Sequence, residues 1–385
     1  MPATTIGTIT EIKNNENRVG LTPEGVRQLV ADGHKVLVQR HAGKGAGFHD
    51  HDYTDAGAEI MLDPESICKA VDILVKVKEP VPAEYHLLEL LANKTLYTYL
   101  HLSGVPKSLT ESLLKNNITG IAYETVTGQA GDLPLLTPMS EIAGVLAVQY
   151  AAEYLQKKYH GRGKTLGEIS GVERSHVVVI GGGIVGKKSA MTAAGMGCRV
   201  TIFDINQSIL DSLEKEMSAY LGAYLMSHVD LKISTENVLN EALADADVLV
   251  GAVLIPGKKA PRVVNMEQIH LMKDGAVVVD VSIDQGGCIE GARATTHSEP
   301  IYDVDGKIFC CVANMPGQVA HQSTQALTNA TLPYLRKLAN ETSHLSSLKD
   351  DPGFARGLNT YKGKITFEAV AKDLDLEEMF EEMMF

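Results

Sequence analysis

Short runs of β-branched and aliphatic residues recur along the chain, separated by stretches of helical apolar spacing and by turns rich in Gly, Pro, Asn and Asp. That alternation predicts parallel α/β layers. In the first third, TIGTIT (5–10), HKVLVQ (34–39), DILVKVK (72–78), TLYTYLHL (95–102) and GIAYET (120–125) read as strands, with helices between them. One helix has a legible start: Thr22 is a capping residue, Pro23 suits a first turn, and TPEGVRQLVADG runs to a glycine stop at Gly33.

Residues 138–158 have few breakers and apolar positions three to four apart, so one long helix is expected there, bridging two domains. A glycine-rich connector (161–175) follows. A second series of strands is expected at HVVVI (176–180), RVTIFD (199–204), HVDLKIS (228–234), DVLVGAV (247–253), AVVVDVSI (276–283) and IFCCVA (308–313). Six strands in order make a complete doubly wound sheet. The helical tail from NATLPYLRKLANE onward has no place in it and is expected to rejoin the first domain. The acidic end LDLEEMFEEMMF reads equally as a docked amphipathic helix or a frayed one.

Composition narrows the class. A length of 385 residues suits two domains at about 150 residues each. The net charge of −13, from 35 basic and 48 acidic side chains, disfavours binding to a polyanion. Nucleic acid and anionic membrane are therefore not expected partners. No apolar run reaches the roughly 18 residues of a membrane helix. The opening MPATTIGTITEIKNNENR lacks the pattern of a secretory signal. Cys68, Cys198, Cys288, Cys310 and Cys311 are odd in number and show no zinc spacing. A reduced, cytoplasmic protein without a structural metal is expected.

Gly181, Gly183 and Gly186 form GxGxxG between an apolar strand and a helix, the context in which the pattern has meaning. The first glycine permits a tight turn. The second lets backbone approach a pyrophosphate, and the third lets helix and strand pack closely. Asp204 ends the next strand, 18 residues after Gly186, where a carboxylate can accept both hydroxyls of an adenine ribose. A 2′-phosphate there would meet like charge, and Ile205, Asn206 and Gln207 offer no arginine, so NAD is expected over NADP. The plain alternatives are a structural glycine turn and an aspartate that caps a helix. The expected layout is α/β with two doubly wound domains, one of them a Rossmann NAD-binding domain, joined by long helices with a cleft between them. Residues 1–135 form the first segment of a catalytic domain, 136–312 the NAD-binding domain, and 313–385 return to the catalytic domain.

Ligands of open α/β sheets bind beyond the carboxyl ends of the strands. Arg18, in the loop KNNENRV, could fork onto a carboxylate; an exposed loop arginine is the bland alternative. Lys76 and Lys78 are expected to share one strand face, with Lys78 the better candidate for polarising a carbonyl and Lys76 an edge-strand charge. His101, expected to share a face with Tyr97 and Tyr99, suits proton transfer near neutral pH; most of the 13 histidines are expected to be structural. Asp284, in the loop after a strand that carries Asp280, would face the nicotinamide crevice or merely form a turn before Gly286. Asn314, in CVANMPG, would close that crevice.

Taken in order, EIKNNENRVGLTPEGV, LVKVKEP, TYLHL, GIAYETV, LPLLTPMSEIAG, VVVIGGGIVG, GAVLIPGKKAP, VDVSIDQGGC, VANMPG and ALTNATLPY resemble the NAD-dependent L-alanine dehydrogenase family over most of the chain. The resemblance implies reversible oxidative deamination of L-alanine to pyruvate and ammonium, by a cytoplasmic homohexamer. It implies that Arg18 and Lys78 hold the substrate, that His101 is the acid/base and that Asp284 is the second catalytic residue. For NAD it implies Ser140, Gly181, Gly183, Ile184, Val185, Gly186, Asp204, Val253, Leu254, Val281, Ser282, Ile283, Arg293, Val312, Ala313, Asn314 and Met315. The chain departs from the family at 206–209, where a basic residue is frequent, and along SAYLGAYLMSHVDLKIS. Two other readings remain: the NAD-binding module of a transhydrogenase, and a dehydrogenase of another small amino acid.

Overall fold

The structure, a computed structural model, describes residues 3–254, 259–340 and 346–383. The first six strands are β1 (Thr5–Thr8), β2 (Lys35–Gln39), β3 (Glu59–Met61), β4 (Ile73–Val75), β5 (Thr95–Thr98) and β6 (Thr119–Ala122). Then come β7 (His176–Ile180), β8 (Arg199–Asp204), β9 (Val229–Ile233), β10 (Val248–Gly251), β11 (Val277–Asp280), β12 (Ile301–Val304) and β13 (Lys307–Cys310). The pair β14 (Leu358–Tyr361) and β15 (Lys364–Ile365) lies near the end of the chain.

The chain divides into two compact units, Met1–Met139 with Gly317–Phe385, and Ser140–Pro316. The first holds an eight-stranded sheet ordered β15-β14-β6-β5-β4-β1-β2-β3, and the second a seven-stranded sheet ordered β12-β13-β11-β10-β7-β8-β9. Their parallel parts have the same winding. Each starts in the middle, runs outward two strands to one side and then three to the other, so the order reverses between β1 and β4 in one and between β7 and β10 in the other. Antiparallel strands finish the edges: β14 pairs with β6 and β15, and β12 pairs with β13.

The interior strands are apolar on both faces because helices cover both. Val177, Val178 and Val179, with Val248, Leu249 and Val250 and with Val277, Val278 and Val279, are wholly buried, each side chain contributing about 1.5–3 kcal/mol. In the first unit the Pro23–Ala31 helix starts at Thr22, whose hydroxyl accepts the amide of Gly25 at 3.1 Å, and is followed by Gly33 at φ 93°. The tail helix Ala320–Asn340 buries Thr324, Leu327, Thr328, Thr331, Leu332 and Leu335, a stripe at helical spacing.

Several sequence expectations need correction. The run 72–78 is strand only over Ile73–Val75, so Lys76 and Lys78 lie in the irregular exit beyond it, and β4 is an interior strand between β1 and β5. Lys76, buried at the exit of this interior strand, is therefore no edge charge. Residues Val281–Gln285 form a 3-10 turn rather than the end of a strand, because the Asp280 carboxylate caps the amide of Ser282 at 3.0 Å. The second sheet has a seventh strand, β12. The acidic end makes a single 3-10 turn, Glu377–Met379, held by buried Leu376 and a bridge from Phe380 to Ile365; residues 384–385 lie outside the described residues. Residues 255–258 of GAVLIPGKKAP also lie outside them.

Candidate active site

The first unit gathers its polar side chains at the carboxyl ends of β1, β4, β5 and β6, around the position where the winding reverses. The loop after β1 lies against the exit of β4 because Gly20 has no side chain: a Cβ there would stand 2.9 Å from the Val75 carbonyl oxygen. Arg18 on this loop is buried, with only 2% of its surface exposed. Its Nε and Nη2 donate to the two carboxylate oxygens of Glu16 at 2.7 and 2.6 Å, and Nη1 lies 3.0 Å from Sδ of Met139. The side-on fork expected for a ligand is thus engaged by an internal carboxylate. Burial works against the cation, and Glu16 outweighs it, so Arg18 stays charged.

Lys76 is also buried, and no edge charge. Its ammonium donates to Glu84 at 2.8 Å and to Glu11 at 3.0 Å, while the other Glu11 oxygen accepts the amide of Val77 at 2.6 Å. Burial opposes this charge too, and the two carboxylates hold it above the ordinary lysine value. Glu11 follows β1, so the pair ties the exit of β1 to the exit of β4. Two residues on, Lys78 is half-buried and places its ammonium 6.0 Å from the centre of the Tyr99 ring. Glu79 pairs with Lys13 from the β1 loop.

His101 lies just past β5, in left-handed backbone with φ 47° and ψ 34°. That conformation costs about 1–3 kcal/mol in a residue with a side chain and persists only where the surroundings enforce it. Its ring stacks on Tyr99 with centroids 5.5 Å apart and planes 11° from parallel. The Tyr99 hydroxyl donates to the Leu135 carbonyl at 2.6 Å, and Tyr123 meets the Tyr99 ring edge-on at 5.0 Å. Burial first, then the cations Lys78, Lys13 and Arg18, push the His101 imidazole well below its ordinary value, so it is neutral at neutral pH. Tyr99 is therefore the common neighbour: Lys78 and His101 lie against it, and the Arg18 charge lowers its pKa against the stronger effect of burial.

Two features escaped the sequence reading. Glu16 and Glu124 are carboxylates beside the expected cations, Glu16 two residues before Arg18 and Glu124 just past β6. Glu124 accepts the amide of His101 at 2.6 Å and of Leu100 at 3.2 Å. The signal was available, since both lie on segments that leave strands of this sheet.

In the second unit the glycine turn is built as its spacing requires. Gly181 has φ 103°, and a Cβ on Gly186 would fall 1.8 Å from the Gly181 carbonyl oxygen, so helix Ile184–Gly195 seats directly on the turn. Gly183 caps that helix, and a Cβ there would meet nothing within 4 Å: an open cradle at the positive end of a helix, with amides facing out. Asp204 accepts the Gly182 amide at 2.7 Å and the Asn206 amide at 2.9 Å. The helix cap is Asn206, which accepts Ser208 N at 2.9 Å, so Asp204 braces the glycine turn instead. Gly144, whose Cβ would stand 2.5 Å from the Val185 carbonyl, brings helix Thr137–Tyr154 onto the same turn, and Ser140 is one helical turn earlier on that face.

The remaining expected cofactor residues cluster at the exits of β10, β11 and β13. Val253 is half-buried and Leu254 exposed, while Ser282 and Ile283 are buried and Val281 half-buried. Asp284 is exposed on the 3-10 turn and accepts the Asn314 amide at 3.4 Å; Asn314 has φ 56°. Val312 and Met315 are buried, which leaves backbone as what they present, and Ala313 donates to the Thr295 carbonyl at 3.1 Å. Arg293 is exposed and lies over the Tyr302 ring at 4.0 Å. Asp280 is wholly internal, accepting the amides of Ser282, Cys288 and Ile289. Among the described residues no group of His, Cys, Asp and Glu is arranged to hold a metal, and no helix is long and apolar enough to cross a membrane.

Strand order, glycine turn and braced aspartate define a protein with a Rossmann-type dinucleotide-binding unit and a second unit of the same winding that carries buried cations at its switch point. Residues 7–143 match the family described as alanine dehydrogenase/PNT, N-terminal domain, and residues 147–368 its C-terminal domain. The alanine dehydrogenase of Mycolicibacterium smegmatis is 46% identical over 96% of this chain and 97% of its own, and that of Bacillus subtilis is 46% identical over 97% and 95%. A solved L-alanine dehydrogenase superposes with a TM-score of 0.90 at 45% identity, covering 97% of this chain and 99% of that one. A transhydrogenase from Sinorhizobium meliloti shares the fold, with a TM-score of 0.77 at 24% identity over 95% and 99%. The chain belongs to the alanine dehydrogenase/PNT family.

Proposed function

We propose that the protein is an NAD-dependent L-alanine dehydrogenase, converting L-alanine, NAD and water to pyruvate, ammonium, NADH and a proton, and working as a cytoplasmic homohexamer. The observation that carries the reading is the gathering of Arg18, Lys78 and His101 about Tyr99 at the switch point of one sheet. The full-length similarity to curated alanine dehydrogenases supports it.

The second unit fits NAD by its open Gly183 cradle and by the acceptor capacity left on Asp204, whose charge would repel a 2′-phosphate. Ser140, Ile184, Val185, Val253, Leu254, Val281 to Asp284, Arg293 and Val312 to Met315 would complete that site. Bound NAD would supply the hydride acceptor. Braced by Glu16, Arg18 would bind the substrate carboxylate and so fix the orientation of Cα. Lys78 would stabilise charge developing on the carbonyl oxygen. Neutral His101 would take the proton of the water that attacks the imine and pass it to the departing amine. Asp284 would orient the water or ammonia.

The test is an assay of 2-oxo acids with NADH and ammonium. Turnover is expected with pyruvate and a large loss in Arg18→Met and His101→Gln, both still binding NADH. Binding of NADH without turnover of any 2-oxo acid would remove the dehydrogenase reading. Sedimentation of the 41.4 kDa chain tests the hexamer.

A further inference from the structure

His101 needs its strained backbone held in place, and the structure assigns that task to one side chain. We propose that Glu124 is the positioning residue of His101, its carboxylate fixing the His101 amide in left-handed backbone so that the imidazole lies flat on Tyr99. The proposal rests on the dehydrogenase reading for what His101 does, and on geometry for the rest.

Glu124 stands on the 3-10 turn Tyr123–Thr125 directly after β6, and β6 is the parallel neighbour of β5. Its carboxylate reaches across to the exit of β5. One oxygen takes the amide of His101 at 2.6 Å and the amide of Leu100 at 3.2 Å, and the other lies 3.3 Å from Leu100 N. Two successive amides converging on one carboxylate is the arrangement that a turn into left-handed backbone produces, and the anion stabilises it in return. On the far side the His101 carbonyl accepts the Gly104 amide at 2.7 Å, closing the turn. The ring has one further support, the stack on Tyr99, whose own hydroxyl is tied to Leu135. Without Glu124 the backbone would relax from φ 47° and carry the imidazole off that ring.

Glu124 also titrates where the enzyme would work. Burial pushes its carboxyl up to about 7, against the amides that it accepts and the Lys78 ammonium. The groups that face it are Lys78 from the exit of β4, Tyr99 and His101 from the exit of β5, and Tyr123 beside it. Arg18 and Lys13 act on His101 from the β1 loop. The ionised form is the one that holds two amides, so kcat for alanine oxidation should rise with pH through about 7 and level off above it. Since the His101 imidazole lies well below its ordinary value, that acid limb belongs to Glu124.

Three measurements test this. Glu124→Ala should lower kcat about 100-fold, the scale on which misplacing a catalytic group acts, with NADH affinity kept. Glu124→Gln mimics the protonated carboxyl, with one neutral acceptor oxygen and no titrating proton: kcat should stay near the parent's low-pH level at every pH, with the acid limb gone. In a crystal structure of Glu124→Ala, residue 101 should leave the left-handed region and its ring should leave Tyr99. Retention of both the φ and the ring stack in that variant, or an acid limb near pH 7 that persists in Glu124→Gln, would overturn the proposal. The crystallographic readout needs no turnover. A parent protein inactive on alanine would therefore refute the proposed reaction and leave the positioning role decided on its own.

Discussion

Arg18 and Glu16, two residues apart on one loop, form a closed pair in which guanidinium Nε and Nη2 meet both carboxylate oxygens at 2.7 and 2.6 Å. Both side chains are buried. Glu16→Ala should destabilise the protein by about 3–5 kcal/mol, because it removes the carboxylate from a buried ion pair. Arg18→Lys keeps the charge and loses the fork, and should raise the KM for pyruvate tenfold or more at nearly unchanged melting temperature. A Glu16→Ala protein that unfolds at the same urea concentration as the parent would refute the buried pairing.

Lys76 gives a sharper case. An exposed lysine changes stability by less than about 0.5 kcal/mol when replaced. Here Lys76→Met would leave Glu11 and Glu84 as buried carboxylates facing one another, and a loss of about 3–5 kcal/mol is expected. Adding Glu11→Gln and Glu84→Gln should recover part of it. The urea midpoints of the single and triple variants decide the matter.

The glycine turn separates folding from binding. Gly186→Ala forces a Cβ onto the Gly181 carbonyl and should lower the melting temperature of the whole chain. Gly183→Ala meets only open space, so its melting temperature should match the parent's while the Kd for NADH rises about tenfold or more, a cost of about 1.4 kcal/mol. Equal NADH affinity in Gly183→Ala and parent would mean that the cradle holds no pyrophosphate.

His176 makes stability depend on pH. It is buried at the start of β7, its Nε2 2.9 Å from the Thr201 hydroxyl, and burial followed by the Arg199 charge pushes it down to about 4. The unfolded chain binds a proton near pH 6.5 and the folded one does not until about 4. This contribution is complete above pH 6.5 and is lost as pH falls toward 4, by about 3 kcal/mol. In His176→Gln the drop in stability between pH 7 and pH 4.5 should be shallower than in the parent, as followed by urea denaturation at each pH.

What the sequence disclosed follows from how local each signal is. The interior strands of both sheets are legible because valine and isoleucine runs buried on both faces leave an unbroken apolar record, and the Thr22 cap and the GxGxxG turn are contained within a few residues. The strand pairs β3, β12 and β14–β15 are short edge elements whose pairing depends on distant partners, and their composition says little. At the site, Arg18, Lys78 and His101 drew notice as polar residues at strand exits. What they touch was not legible, since the partners of Arg18 and His101 are fixed by folding, and a carboxylate such as Glu124, 23 residues beyond His101, reads as an ordinary surface charge. Lys76 and Lys78 do not share a strand face for a related reason: where a strand ends is set by its neighbours, and β4 stops at Val75.

The hairpin β14–β15, pairing with β6 from the far end of the chain, sets the order in which the molecule can be assembled. As the chain leaves the ribosome, the continuous stretch Ser140–Pro316 has all of its strands before the first sheet has its last two, so the later unit closes while the earlier one waits with a bare flank along β6. A chain halted at Pro316 should accordingly self-associate through that flank more than one that carries β14 and β15.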